Sequence, residues 1–155
     1  MNKTLDKIAF FIAQGAYSGR APIAPGTAGT VVGVLLYLLI MDLGPLRYGA
    51  VCAAVIAVGI WAAGRVDLMF GTKDNSTIVI DEIAGYLIAM VFIPFSWGNV
   101  AAGFFIFRAF DIVKPWPLRR FERIRGGPGV MLDDLGAGVY TNIVLQVAGF
   151  LLGKG

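Results

Sequence analysis

Residues 83–107 read IAGYLIAMVFIPFSWGNVAAGFFIF, twenty-five positions without one charged side chain. How this run is cut decides the fold. As a single helix it would carry Asp81 and Glu82 to one face of a membrane and Asp111 to the other. Its middle argues otherwise, because residues 94–99, PFSWGN, are rich in helix breakers and turn formers. The run then reads as two helices, about Ile78–Ile93 and Asn99–Val113, each reaching about 24 Å at 1.5 Å per residue. That is short for a hydrocarbon core of about 30 Å, but Trp97 and its neighbours are suited to meet the interface.

The rest of the chain fits a bilayer setting. Hydrophobic residues make up 57% and charged residues 15%, with a mean hydropathy of +0.76, a balance expected of a membrane-embedded chain. The 155 residues suit a single domain spanning 1–155. The start, MNKTLDKIAFFIAQGA, has the outline of a signal peptide, but Asp6 and Gln14 interrupt it, so it is expected to be retained. Within it, Ile8–Ala16 is too short to span and follows Lys3 and Lys7, as an interfacial helix would. A first spanning helix opens at PGTAGT, residues 25–30, and continues to about Met41. A second runs from Tyr48 to Gly64 and ends at Arg65, before a polar loop from Asp67 to Asn75. A fifth runs from about Asp134 to Leu152. The expected class is all-α: an integral membrane bundle of about five embedded helices plus an N-terminal interfacial helix. Lone Cys52 excludes an intrachain disulfide and reads as packing.

Cation distribution supports this cut. With five helices, Lys3, Lys7, Arg20, Arg65, Lys73, Lys114, Arg119, Arg120, Arg123 and Arg125 share one side, and Arg47 and Lys154 take the other. Ten against two follows the positive-inside rule with the N-terminus cytoplasmic. A single span over 83–107 would give six against seven, with Arg108 counted in the loop.

The same cut gathers chemistry at one interface. Asp81 and Glu82 open the third helix, and Asp133 and Asp134 open the fifth after a flexible GGPG turn. Arg108, Asp111 and Lys114 form a stripe at i, i+3 and i+6 near the end of the fourth helix. Pro115 and Pro117 stop that helix. Five carboxylates at one depth repel one another unless a cation neutralises them. Oxygen ligands in a chain without histidine favour magnesium, manganese or calcium over zinc. The missing histidine also excludes serine triads, histidine-nucleophile phosphatases and HExxH proteases. There is no Walker A sequence and no DxDx pair. A carboxylate cage beside a Gly/Thr turn that offers backbone N–H groups to an anion, and beside Arg and Lys, suits phosphoryl chemistry.

Structural readings exist for the same residues. Asp81, Glu82, Asp133 and Asp134 also fit helix starts, and Asp111 fits an ion pair with Arg108 or Lys114. PGTAGT also fits close helix packing. Arg119, Arg120, Arg123 and Arg125 read foremost as a topology signal facing anionic lipid. Asn142 and Gln146 read as interhelical hydrogen-bonding groups.

PGTAGT (25–30), IDEIAGY (80–86), FRAFDIVKPWPLRRFE (107–122) and GGPGVMLDDLGAGVY (126–140) occur in the order and spacing of the phosphatidylglycerophosphatase A family, which the chain resembles from about residue 15 to 150. The resemblance implies an all-α, Mg²⁺-dependent lipid phosphatase of the bacterial inner membrane. It would hydrolyse phosphatidylglycerophosphate to phosphatidylglycerol and phosphate in phospholipid biosynthesis. Asp81, Glu82, Asp111, Asp133 and Asp134 would then supply the metal shell and a base. Arg108 and Lys114 would hold phosphate, with Thr27, Gly29 and Thr30 donating to it. The implied partners are a phospholipid substrate and the membrane, not nucleic acid, and the site would face the cytoplasm. The rival expectations are a small cation transporter or channel and a non-enzymatic scaffold for anionic lipid.

Overall fold

Apolar segments punctuated by Pro and Gly fold into seven α-helices, with no strand among the described residues. They are α1 (Lys3–Ala13), α2 (Pro25–Ile40), α3 (Pro45–Phe70), α4 (Ile80–Ala89), α5 (Trp97–Val113), α6 (Leu118–Phe121) and α7 (Gly127–Leu151). The computed structural model describes residues 3–71, 75–121 and 123–153. Lys73 and Lys154, both used in the cation count, lie outside them. The all-α expectation holds. Two helices, α2 with its extension to Leu43 and α3, are long and apolar enough to cross a membrane.

α4 is the hub of the bundle, packed against α2, α3, α5 and α7. It is apolar nearly all round, and Ile80, Ile83, Ala84, Gly85, Tyr86, Leu87 and Ala89 are all buried, as befits a helix with no outward face. Its contact with α7 runs through glycines. A Cβ on Gly138 would strike the carbonyl oxygen of Gly85, and one on Gly85 would come within 2.7 Å of the Asp134 carbonyl oxygen. These two helices touch backbone to backbone.

The division of residues 83–107 into two helices is correct, but the break comes earlier than PFSWGN. α4 stops at Ala89 rather than Ile93 and, at 10 residues, does not reach across a bilayer. Its last carbonyls need partners off the helix, and polar side chains of α7 and α3 supply them. Asn142 on α7 donates through Nδ2 to the Ala89 and Val91 oxygens at 3.0 and 2.7 Å. The Tyr48 hydroxyl donates to Leu87 O at 2.7 Å. Gln146 Nε2 donates to Asn142 Oδ1 at 2.6 Å, which fixes how that amide is turned. α5 begins at Trp97, two residues before the expected Asn99, with the Ser96 hydroxyl accepting from Asn99 N at 3.0 Å as an N-cap.

Three other boundaries shift for tertiary reasons. α1 begins at Lys3, not Ile8, and packs on α3. α3 passes through Arg65 to Phe70, because Asp6 on α1 accepts from Arg65 Nε at 2.7 Å and neutralises it. α7 starts at Gly127, seven positions before Asp134, so GGPG is a helix start and not a flexible turn. Gly126 caps it at φ +77°, a conformation that favours glycine. Pro128 suits the first turn, where its missing N–H costs nothing. Gly127 lies so close to Ile60 of α3 that a Cβ there would meet the Ile60 carbonyl.

The glycine contact gives a direct test. Gly138→Ala should lower the thermal midpoint in detergent by an amount equivalent to about 1–3 kcal/mol, the usual cost of overpacking. Gly149→Ala, on the same helix with open space around it, should be neutral or stabilise by up to about 1 kcal/mol. Equal behaviour of the two variants would refute the backbone contact.

Candidate active site

The start of α4, the end of α5 and the first turns of α7 meet around one cavity of about 460 Å³. Asp81, Glu82, Asp111, Asp133, Asp134, Arg108 and Lys114 all line it. The chain folds this way because α4 and α5 run antiparallel through the hairpin, while the Gly85–Gly138 contact holds α7 beside α4. Asp81 and Glu82 lie in the first turn of α4 as expected. Asp133 and Asp134 do not open α7; they sit about two turns inside it. There they are buried, 7% and 3% exposed, and Asp111 is 9% exposed.

The acids are close. One oxygen each from Asp81, Glu82 and Asp134 lies within 4.8 Å of the other two. At that separation two full charges repel by about 3–4 kcal/mol if the effective dielectric is about 20. Asp134 also feels the charges of Asp111 and Asp133.

Two cations relieve part of this. Arg108 Nη1 pairs with Asp111 Oδ2 and lies 3.7 Å from Glu82 Oε1. Lys114 Nζ lies 2.5 Å from Asp133 Oδ2. The expected stripe on one helix is altered: α5 ends at Val113, and Lys114 is a left-handed residue at φ +46° that turns toward α7 instead of Asp111. Four acid oxygens remain buried without a hydrogen-bond partner: Asp81 Oδ1, Glu82 Oε2, Asp133 Oδ1 and Asp134 Oδ2. The Arg108 Nε is likewise buried without one. Unsatisfied buried acceptors of one sign suit a hard cation, and an unused guanidinium N–H suits an anion.

Thr27, Gly29 and Thr30, expected to donate to phosphate, do not line the cavity. Gly29 is buried, and a Cβ there would come within 2.6 Å of Val79 Cβ. The Thr30 hydroxyl donates to Gly26 O at 2.8 Å, inside its own helix. The packing reading of PGTAGT fits these two positions. Pro25 and Gly26 are the members of that motif that reach the cavity, and at Gly26 there is so little room that a Cβ would meet Glu82 Oε1 and Arg108. Asn75 and Ser76, from the α3–α4 loop, also line it and were not marked by any motif. The Asn75 Oδ1 accepts from Thr77 N and Oγ1 at 3.1 and 2.8 Å, which fixes that side chain at the rim. Arg119, Arg120, Arg123 and Arg125 stay outside the lining. Arg119 donates to Val113 O at 3.1 Å, closing the end of α5, and Arg120 lies 5.5 Å from the centre of the Trp116 ring.

A profile of the family described as phosphatidylglycerophosphatase A matches residues 11–149. The Escherichia coli K12 protein named phosphatidylglycerophosphatase A is 38% identical over 140 residues, covering 89% of this chain and 81% of its own. The Haemophilus influenzae protein of the same name is 34% identical over 152 residues, 93% of each chain. A Bacteroides thetaiotaomicron protein, named provisionally as a phosphatidylinositol-3-phosphatase, is 38% identical over 150 residues, 92% of this chain and 94% of its own. No solved structure matches the chain at a significant level.

Repulsion within the cluster leads to a stability prediction. In chelator at neutral pH, Asp134→Asn should raise the thermal midpoint in detergent, since it removes the charge that faces the other four acids. Asp133→Asn should not, because it also removes the partner of Lys114. A midpoint that falls for Asp134→Asn as it does for Asp133→Asn would show that the cluster carries no net repulsion.

Proposed function

The chain belongs to the phosphatidylglycerophosphatase A family, a family of phosphatase enzymes, and from that membership we propose that it hydrolyses the phosphomonoester of phosphatidylglycerophosphate in a Mg²⁺-dependent reaction. The reaction takes place at the cytoplasmic face of the bacterial inner membrane, in phospholipid biosynthesis. The observation that carries this reading is the single cavity bounded by five carboxylates, Arg108 and Lys114. All five acids offer hard oxygen donors, and four of their buried oxygens have no partner among the described residues, so the residues suit Mg²⁺.

Asp81, Glu82 and Asp134 would hold the ion, with Asp111 and Asp133 beside them. When bound, Mg²⁺ supplies neutralising charge and polarises phosphoryl oxygen. Arg108 has its Nε free to donate to a phosphate oxygen while its Nη1 holds Asp111 and Glu82 in place. Lys114 brings a second positive charge to the rim. A carboxylate of the cluster takes the proton of the attacking water. The water oxygen bonds to phosphorus as the bond to the glycerol oxygen breaks, and that oxygen leaves as the alcohol, taking the proton that the carboxylate accepted from water. Gly26 keeps the wall beside Arg108 low enough for the phosphate to enter.

The multi-pass setting rests on the apolar α2 and α3 and on the cation count, and it lets lipid tails remain in the bilayer while the headgroup reaches the cavity. The transporter and scaffold readings gain no support from the family or from the site. The acids gather at one end of the bundle, whereas the cavity bordered by Tyr37, Tyr48 and Met90 contains no charged residue.

Phosphate release from phosphatidylglycerophosphate in mixed micelles should disappear in excess EDTA and return with Mg²⁺. Phosphatidylinositol-3-phosphate, tested in parallel because of the Bacteroides relative's name, should be the poorer substrate. In the same assay Asp111→Asn should lose about 10²-fold or more in turnover while keeping its fold, since each 1.36 kcal/mol is about tenfold in rate. If Asp111 only paired with Arg108, an ion pair worth about 0–1 kcal/mol would leave turnover nearly unchanged. Full activity in EDTA would overturn the metal reading.

Orientation is tested separately. A cysteine at Arg123 should react with an impermeant reagent only from the cytoplasmic side, and one at Arg47 only from the opposite side. Labelling of both from one side would reject the hairpin topology.

A further inference from the structure

The walls of the cavity are not tied equally. Between α5 and α7 Lys114 pairs with Asp133, the Phe110 and Tyr140 rings lie 5.6 Å apart, and the Tyr140 hydroxyl donates to Trp116 O at 3.2 Å. α2 is seated on α4 through Gly33, where a Cβ would come within 3.2 Å of Tyr86 Cβ. α5 is joined to α4 by Arg108 beside Glu82 and by the Tyr86 hydroxyl, which donates to Val100 O at 3.1 Å. Between α2 and α5, among the described residues, there is no hydrogen bond, ion pair or ring contact. At the cavity these two helices meet through Gly26, where α2 carries no side chain; a Cβ there would stand 3.0 Å from Arg108 Nη1.

This seam is apolar along its outer edge. On α2, Thr27, Val31 and Val34 form a stripe at i, i+4 and i+7. Val34 packs with the core cluster that includes Phe104 and Phe107 of α5, whereas Val32, on the other flank, packs with the cluster of Ala9 and Ala62. The stripe therefore borders α5. On α5, Phe105, Arg108 and Ile112 lie at i, i+3 and i+7, so an apolar residue stands one turn to either side of Arg108. Phe105 is 70% exposed, Ile112 72% and Val31 46%.

The two ends of the seam decide what fits it. At the inner end Arg108 Nε is buried without a partner and suits a phosphate oxygen. The outer edge offers only apolar surface. A phosphomonoester joined to acyl chains matches both, while a soluble phosphate ester leaves the apolar edge empty. We infer that the α2–α5 seam is the side entrance for the substrate lipid, with the headgroup passing Gly26 and Arg108 into the cavity and the acyl chains lying against Val31, Phe105 and Ile112. This rests on the lipid-phosphatase reading above and names the wall through which its substrate arrives. With no polar tie across it, the seam can part without breaking a hydrogen bond.

Photochemical labelling tests the route. A photoreactive p-benzoylphenylalanine replaces Phe105, Val31 or, for comparison, Val139, which is exposed on α7 next to the Tyr140 contact with α5. The probe is a tritiated phosphonate analogue of phosphatidylglycerophosphate, with a methylene in place of the ester oxygen so that no phosphate can leave. It is added in detergent micelles with Mg²⁺ to the full-length protein. Label should enter at Phe105 and Val31 and be lost when excess unlabelled analogue is present, while labelling at Val139 should be weak and unaffected. Should the Phe105 variant fail to fold, Val31, on the other helix, decides alone. If the analogue inhibits phosphate release by the unmodified protein but seam labelling survives competition, or Val139 is labelled equally, the side entrance is overturned and the lipid-phosphatase reading stands. An analogue that neither inhibits nor gives competed labelling at any position would overturn both.

Discussion

The contact on which the site depends is made by two glycines, not by the charged residues. Gly85 of α4 and Gly138 of α7 let two helix backbones meet, and any side chain at either position would drive them apart. Asp81 and Glu82 lie one turn before Gly85, and Asp134 lies one turn before Gly138. The small residues therefore set the distance between the acid groups. Attraction cannot do so, because the acids repel. Packing of α4 and α7 has to overcome that repulsion.

The same arrangement explains why a ten-residue helix is stable at the centre of the bundle. A short helix leaves its last carbonyls without intrahelical donors, and in apolar surroundings each unmet group is costly. Asn142, oriented by Gln146, and Tyr48 supply those donors. Ending α4 early brings the chain back as α5 at the right depth to place Arg108 and Asp111 beside Glu82. Polar side chains far from the cavity thus help determine its composition.

Charge within the site is divided by partner. Asp111 and Asp133 are each held by a cation, while Asp81 and Asp134 face mainly other acids. Under the proposed reaction this division has a use: the paired acids are held in place, and the unpaired ones remain available for a metal ion. Arg108 joins the two classes by touching Glu82 and Asp111 together.

The chain by itself determined the helical class, the hairpin within residues 83–107, and the set of acids and cations that would share one end. Those features follow from local facts: where charge is absent, where breakers stand, and where a membrane would sort lysine and arginine. Tertiary structure decided what local patterns could not carry. GGPG reads as a turn because glycine is a poor helix former, yet it opens α7 because only glycine fits against Ile60. Arg65 reads as a helix end, yet the helix continues because Asp6, 59 positions away, takes its charge. Thr27, Gly29 and Thr30 read as an anion cradle, yet the packing of α2 on Val79 and α4 leaves Pro25 and Gly26 as the members at the cavity. Asn75 and Ser76 belong to a loop with no motif, and they entered the lining only through the folding of α3 and α4 around it. In each case the deciding partner lies far along the chain, and its distance from the residue concerned exists only in the folded bundle.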